Sequence, residues 1–332
     1  MPALGASEFT ELFATTLQKY ERELIDNVLT KHPTLDLFKD QAKSQTGRGL
    51  VIPLRAARLD RTAVTDESGS FSTSKDGPIV GSAVYSWSRP IVTPTRVVWE
   101  ELQQNTGKEQ IVSLLKAHKD TAVDDHATFL AQGLHAATPA TGMFESLATL
   151  VNDTGEVGGI DPSDPDKDYW KATVRTIVPD KYDDGSDNPD GQSIRKAFRT
   201  VANDLYVSTG GRHKVTHIIA GRDVFDEYED SFDDKVRYVD FGEGQTKFTA
   251  IMFGEIEVRL DPDCPADKAY FLDKSSLRAG YLNGNLLKVQ PSQTITGTLD
   301  FVTPVASVIG FGVDERRANG LLIRPEPEPA PE

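Results

Sequence analysis

A single cysteine, Cys264, stands in a chain of 332 residues, so no internal disulfide can form and the composition fits a reducing compartment. No apolar run reaches the length of about 18 residues that a membrane-spanning helix needs. The opening residues, MPALGASEFTELFATTLQKYERE, have neither a basic n-region nor an apolar h-region, so no secretory signal is read there. Positive charge is also scarce. Against 51 Asp and Glu there are only 36 Lys and Arg, a formal net charge of −15. Polynucleotide affinity comes mainly from Lys and Arg displacing counterions, so this balance argues against tight DNA or RNA binding. The same charge keeps the chain in solution and makes self-association sensitive to salt.

Catalytic and ligand signatures are missing too. No HExxH, no cysteine pair and no GxSxG occurs. Asp263-Cys264-Pro265 has no flanking motif that places a histidine base beside the thiol. His118 and His126 lie eight residues apart on a helix, and His213 and His217 share a strand face, but no third metal ligand accompanies either pair. The stretch GEVGGIDPSDPDKDYW, residues 155–170, invites a calcium-loop reading, with Asp164, Asp166 and Asp168 at positions 1, 3 and 5. Position 6 is then Tyr169 instead of Gly, and position 12 is Arg175 instead of Glu, so the EF-hand match fails. A looser cation site on the three aspartates stays open. A phosphate cradle fails as well, because Gly155, Gly158 and Gly159 neither precede Lys-Ser/Thr nor open an apolar helix. Nothing here requires an enzyme, and no cofactor is expected.

What is present is architecture. Residues 7–31 read as an amphipathic helix capped by Ser7, with Phe9, Phe13, Leu17, Tyr20, Leu24 and Val28 on one stripe and His32-Pro33 ending it. LVIPLRAARL and GSAVYSWSRPIVTPTRVVW are strand-like and flank the polar, turn-forming DRTAVTDESGSFSTSKDGP. This predicts a two-stranded excursion whose arms of roughly 15 residues reach on the order of 50 Å. A hairpin that long is marginal alone in water and needs a partner surface. Thr106-Gly107-Lys108-Glu109 forms a capping box, and Ile111, Leu115, His118, Ala122, Phe129 and Gly133 mark one face of a helix running to His135. A further helix carries Ile194, Ala197, Phe198, Val201 and Leu205 and closes at Gly210-Gly211. KVTHIIAG is expected as a buried strand, RDVFDEYEDSF as a short helix, FTAIMFGEIEVRL and KAYFLD as strands, and Asn283-Gly284 as a hairpin turn. QTITGTLDFVTPVASVIGFGVDER alternates well enough for one or two more strands. RPEPEPAPE reads as an extended, solvated tail. The class is α+β.

In order and in detail, these parts resemble the major capsid proteins of tailed bacteriophages, which have the Hong Kong 97-like fold. NDTGEVGGIDPSDPDKDYWKA is similar to a family stretch in which Gly-Gly-Ile-Asp is followed shortly by paired aromatics. FGEIEVRLDPDCPADKAYFLDKSSLRAGYLNG is similar to the family's late segment. The resemblance implies an N-terminal arm over 1–47 and an extended β-hairpin loop over 48–98. It further implies a peripheral domain over 99–174 and 261–324 with a long spine helix at 106–135, an axial domain over 175–260, and a flexible tail over 325–332. It also implies subunits that self-assemble as hexamers and pentamers into an icosahedral shell around double-stranded DNA, held without tight binding. A scaffolding protein, a portal and a decoration protein are the implied partners, with no membrane, and the implied location is the virion after assembly in the host cytoplasm. Residues 1–47 leave little room for a cleaved scaffolding segment, so either the scaffold is separate or the chain is already mature.

Within that resemblance, Phe9, Phe13, Leu17, Tyr20, Lys75, Trp87, Gly158, Gly159, Tyr169 and Trp170 are the expected assembly and structural residues. Some members cross-link Lys to Asn, and here Lys75 with Asn319, near Glu315, is the matching set, beside the plainer reading of Lys75 as a solvated residue. Two alternatives stand against the viral shell. One is an encapsulin-type compartment of the same fold. The other is a metal-dependent hydrolase or ligand-binding protein using the Asp-rich loop 161–168.

Overall fold

The computed structural model describes residues 32–39, 41–54, 81–98, 100, 108–179, 181, 188, 191–231, 250–290, 293–294 and 300–326. The helix expected over 7–31, with Phe9, Phe13, Leu17 and Tyr20, and the hairpin tip with Lys75, lie outside these residues. In chain order the elements are α1 (Pro33–Lys39), β1 (Ala42–Gln45), β2 (Gly49–Pro53), β3 (Ser82–Ser86), β4 (Ile91–Val97), α2 (Lys108–His135) and α3 (Leu147–Leu150). Then come β5 (Thr173–Thr176), α4 (Ile194–Ser208), β6 (His217–Ala220), α5 (Arg222–Asp230), β7 (Ala250–Phe253), β8 (Ile256–Leu260), β9 (Lys268–Leu272) and β10 (Leu277–Leu282). The last are β11 (Lys288–Val289), β12 (Gln293–Thr294), β13 (Phe301–Ser307), β14 (Ile309–Val313) and β15 (Gly320–Ile323).

A six-stranded mixed sheet, ordered β5-β15-β9-β6-β8-β7, is the wall between two cores. Successive side chains of a strand point to opposite faces, so one strand serves both sides. Ala269 and Phe271 of β9 join the core under α4 and α5, while Tyr270 and Leu272 face the larger core. Ile218 and Ile219 of β6 divide in the same way, as do Leu322 and Leu321 of β15. This is why these strands read as unbroken apolar runs instead of alternating ones. The sheet draws strands from residues on both sides of 174 and of 260.

On the first face, Ile194, Ala197, Phe198, Val201 and Leu205 of α4 are all buried, as their spacing predicts. Phe198 stacks on Tyr228 of α5 at 4.7 Å and meets Phe271 edge-on at 5.1 Å. Such pairs each add about 0.5–1.5 kcal/mol beyond area burial. The helix stops at Gly210 and Gly211, whose φ values of +62° and +76° let their amides turn back onto the carbonyls of Val207 and Tyr206.

Several expectations are corrected. Pro33 opens α1, a helix the sequence reading did not expect, and it fits there because the first helical position does not use the amide that proline lacks. The stretch from Gly81 to Val98 is two strands in different sheets, β3 pairing with β2 and β4 with β13. The break comes where Ser88 and Arg89 donate their amides to Ile309 and Gly142 and Pro90 has none to give. FTAIMFGEIEVRL is a hairpin of β7 and β8, turned at Gly254 with φ +64°. Asn283 and Gly284 make the expected turn, both at positive φ, yet no hairpin follows, because β10 is already flanked by β1 and β14 and β11 pairs with β13.

The helix α2 is 28 residues, about 42 Å at 1.5 Å per residue. Its buried face is Ala122, Val123, His126, Ala127, Leu130, Ala131 and Leu134, while Phe129 is half exposed. Of the stripe read from the sequence, Ala122 is buried and Phe129 is not, and the side chains of Ile111 and Leu115 lie outside the described residues. Three alanines and a histidine on the buried face carry little hydrophobic signal, and His126 is the residue that meets Thr93 of β4. His126 is fully buried with its Nδ1 2.9 Å from the Thr93 hydroxyl, and burial lowers its pKa to about 4. In the unfolded chain the imidazole titrates near its ordinary value of about 6.5. The unfolded state thus binds the extra proton first, so this contribution to stability is complete above pH 6.5 and declines as pH falls toward 4. We expect urea unfolding to show wild type losing about 2 kcal/mol more than His126→Gln between about pH 7 and pH 5. Parallel losses in the two proteins would refute this.

Candidate functional site

Arg316 has no exposure to solvent, yet among the described residues no carboxylate pairs with its guanidinium. Instead Nε donates to the Leu150 carbonyl, Nη1 to those of Gly155 and Trp170, and Nη2 to those of Thr149 and Thr154, all at 3.1–3.2 Å. Burial lowers its pKa to about 10, which still leaves it charged near neutrality. A buried cation is costly unless its donors are satisfied, and the planar five-donor fork is satisfied here by five carbonyl dipoles. The segment from α3 to Trp170 is thereby wrapped around one side chain.

That segment contains the stretch singled out in the sequence. Val157 and Ile160 exchange backbone hydrogen bonds at 3.1 Å across Gly158 and Gly159, whose φ values of +63° and +77° suit a two-residue turn of the I′ kind. A Cβ on Gly158 would lie 2.7 Å from the Ala83 Cβ, so only glycine allows this approach to β3. The Gly158 carbonyl accepts from the Val84 amide at 3.0 Å. Trp170 is buried and donates from Nε1 to the Val157 carbonyl at 2.9 Å, and half-buried Tyr169 packs on the same core.

The hairpin root rests on this platform. Strands β2 and β3 pair with Gly49 opposite Ser86 and Pro53 opposite Ser82. The Tyr85 hydroxyl donates to the Val313 carbonyl at 2.8 Å and accepts from its amide at 3.2 Å, and burial raises its pKa far above the usual phenol value. Trp87 lies over Gly280 and Gly310 and donates to the Gly47 carbonyl at 3.0 Å. On the outer face of the hairpin, Val51 and Val84 sit directly opposite each other, 53% and 49% exposed.

Solved structures with this arrangement include the Cyanophage A-1(L) capsid asymmetric unit, with a TM-score of 0.63 at 15% identity over 89% of this chain and 92% of that one. The capsid of the native GTA particle matches with a TM-score of 0.57 at 10% identity over 86% and 89%. The satellite phage P4 procapsid including size determination (Sid) protein matches with 0.54 at 12% identity over 93% and 92%. The chain has the Hong Kong 97-like capsid fold. No protein-family model and no curated protein matches the chain.

Within the Hong Kong 97-like fold, the sequence-derived site residues fall into separate places. Trp87, Gly158, Gly159, Tyr169 and Trp170 converge at the hairpin root and its platform. Among the described residues of the Asp-rich loop, Asp164 pairs with Lys167 at 3.0 Å, Asp168 with Lys171 at 2.6 Å, and Asp161 accepts the Ser163 amide, which lowers its pKa. The side chain of Asp166 lies outside the described residues. Among the described residues, the one group with metal-ligand spacing is His32, Asp261 and Asp263, which sequence reading missed because 229 positions separate its histidine from its first aspartate. Arg316 was also missed, since nothing local marks an arginine destined for carbonyls more than 140 residues away.

A cleft of about 570 Å³ beside the root is lined by Pro53, Arg212, His213, Ser275, Arg278 and Glu315. Its composition suggests a Ser-His-Asp relay, but the order is wrong. Asp273 holds His213 Nδ1 at 2.6 Å, Ser275 donates to that same carboxylate at 2.8 Å, and His213 Nε2 faces Glu315 at 3.1 Å. A relay needs the nucleophile on the imidazole nitrogen that the carboxylate does not hold.

Asn319 is fully buried and committed: its amide nitrogen donates to Ser276 at 2.8 Å and its oxygen accepts from the Asp273 amide at 3.1 Å. Glu315 is held by Arg212 and Arg317. Neither is presented to a second chain in this conformation, which counts against the Lys75–Asn319 bond. Boiling the assembled protein in detergent should therefore release a single monomer band. Replacing the central fork tests the platform. Arg316→Lys retains charge but supplies three donors in place of five, so we expect a loss of about 3 kcal/mol or more in urea unfolding. An unchanged midpoint would show that the five contacts contribute little.

Proposed function

We propose that the chain is a structural shell subunit, a major capsid protein that self-assembles as hexamers and pentamers into an icosahedral shell around double-stranded DNA, and not an enzyme. The observation that carries this is the agreement of one fold over nearly the whole of this chain and of the capsid subunits it is similar to, 89% and 92% for the cyanophage A-1(L) capsid. The hairpin gives a physical reason for assembly. A two-stranded ribbon is marginal by itself in water, and this one carries the Val51–Val84 pair on an exposed face at its root. A neighbouring subunit is the natural cover for it. A net charge of −15 suits a wall that contains DNA without gripping it.

On this reading, residues 1–47 are the arm, 48–98 the extended loop, 99–174 with 261–324 the peripheral part, 175–260 the axial part and 325–332 the tail. A scaffolding protein, a portal and decoration proteins are the proposed partners, and the virion, assembled in host cytoplasm, is the proposed location. Many modest contacts per subunit then hold the closed shell.

Electron microscopy of the purified protein, alone and with its scaffolding partner, is expected to show closed shells or capsomers. Val84→Lys should leave the urea midpoint within about 0.5 kcal/mol of wild type, as an exposed change does, while abolishing closed particles. A protein that stays strictly monomeric under every one of these conditions would sink the proposal.

A further inference from the structure

Where α1 begins, the chain leaving the N-terminal segment meets both the C-terminal end of α2 and the turn that follows β8. The contact is polar and almost dry. Asp261 has no exposure, the side chains of Asp263 and His32 are 13% and 15% exposed, and that of His135 only 1%. Asp261 is oriented on all sides. Its Oδ2 accepts from the Thr34 amide at 3.2 Å and the Thr34 hydroxyl at 2.5 Å, and its Oδ1 accepts from the Asp263 amide at 3.0 Å. His135 Nε2 lies 2.9 Å from the Thr34 hydroxyl and 3.4 Å from Asp261 Oδ2.

Asp263 is different. Its Oδ2 is shut off from solvent and faces His32 Nδ1 at 2.9 Å. One nitrogen from His32 and one oxygen from each of Asp261 and Asp263 all lie within 4.8 Å of one another. A cation with bonds of about 2.0–2.2 Å to nitrogen and oxygen holds adjacent ligand atoms about 3.0–3.5 Å apart, so small side-chain movements close this set around an ion. The two carboxylates lie close together with little solvent between them, Asp263 beside His32 and Asp261 beside His135.

We propose that His32, Asp261 and Asp263 bind a divalent cation of the zinc class, which clips the root of the N-terminal segment to the end of α2 and the turn after β8. An imidazole with two carboxylates is a borderline donor set that suits zinc better than the all-oxygen cages of calcium or magnesium. Thr34 and His135 are positioning residues: they hold Asp261 in place, as outer-shell hydrogen bonds commonly do around metal ligands. Cys264 is next in sequence but is not a ligand, since its thiol lies against the Lys268 carbonyl. The clip joins residues that no strand pairing links, so its energetic effect falls on the path of the chain just before β1.

The test is zinc chloride added to the metal-stripped full chain, followed by calorimetry and thermal unfolding. The expected result is one equivalent bound and a melting temperature raised by a few degrees, since a ligand confined to the native state must stabilise it. Asp263→Asn and His32→Gln should each lose both signals, and His135→Gln should bind about 10–100-fold more weakly. Cobalt(II) on the wild-type chain gives a reading that depends on no variant: visible d–d absorption is expected, and its bleaching by zinc. An unmoved melting temperature with zinc, an equal rise in Asp263→Asn, or a cobalt spectrum identical to the free ion would each overturn the proposal. Its outcome is independent of whether the chain forms shells.

Discussion

The buried guanidinium of Arg316 is the interaction on which the geometry of the hairpin root depends. It gathers carbonyls from residues 149–150, 154–155 and 170, three points of a segment whose regular structure is α3, a 3-10 helix at Pro165–Trp170 and a two-residue turn. Left alone, such a segment has too little apolar surface to hold a shape against its chain entropy. Tied to one fork, it presents the Gly158 carbonyl to Val84 and the bare Gly158 Cα to Ala83. The direction in which the hairpin leaves the body is thereby set from below. Tyr85 and Trp87 set it from the side, through Val313 and Gly47.

The second constraint is the shared six-stranded sheet. Its strands place alternate residues in two cores, so the α4–α5 side and the side that carries α2 and the hairpin root share one packed wall. The polar junction of Thr34, His135 and Asp261 lies at the edge of the same wall, directly after β8, so the chain that enters from the N-terminal segment is registered against it.

Much of this was legible from sequence. The stripe of α4, its glycine stop, the buried strand β6, the short helix α5 and the Asn283-Gly284 turn each rest on interactions within a few residues, and local spacing reports them well. In the stretch tested as a calcium loop, Asp164 and Asp168 pair with Lys167 and Lys171. The misreadings share a cause. Phe129 looked like a core residue because large side chains dominate a hydrophobic count, whereas the buried face of α2 includes three alanines and His126. The stretch from Gly81 to Val98 looked like one strand because composition does not show that Ser88 and Arg89 spend their amides on Ile309 and Gly142.

The sequence by itself determined the α+β class, the elements that are held by local hydrogen bonds and periodic burial, and an acidic, cysteine-poor chain without catalytic signatures. Only the tertiary structure decided which face of α2 is inside, why Gly158 has no side chain, and what Arg316, His32 and Asn319 are for. Those three side chains act on groups tens to hundreds of positions away in the chain. Their partners are chosen by packing in three dimensions, and no spacing along one dimension encodes that choice.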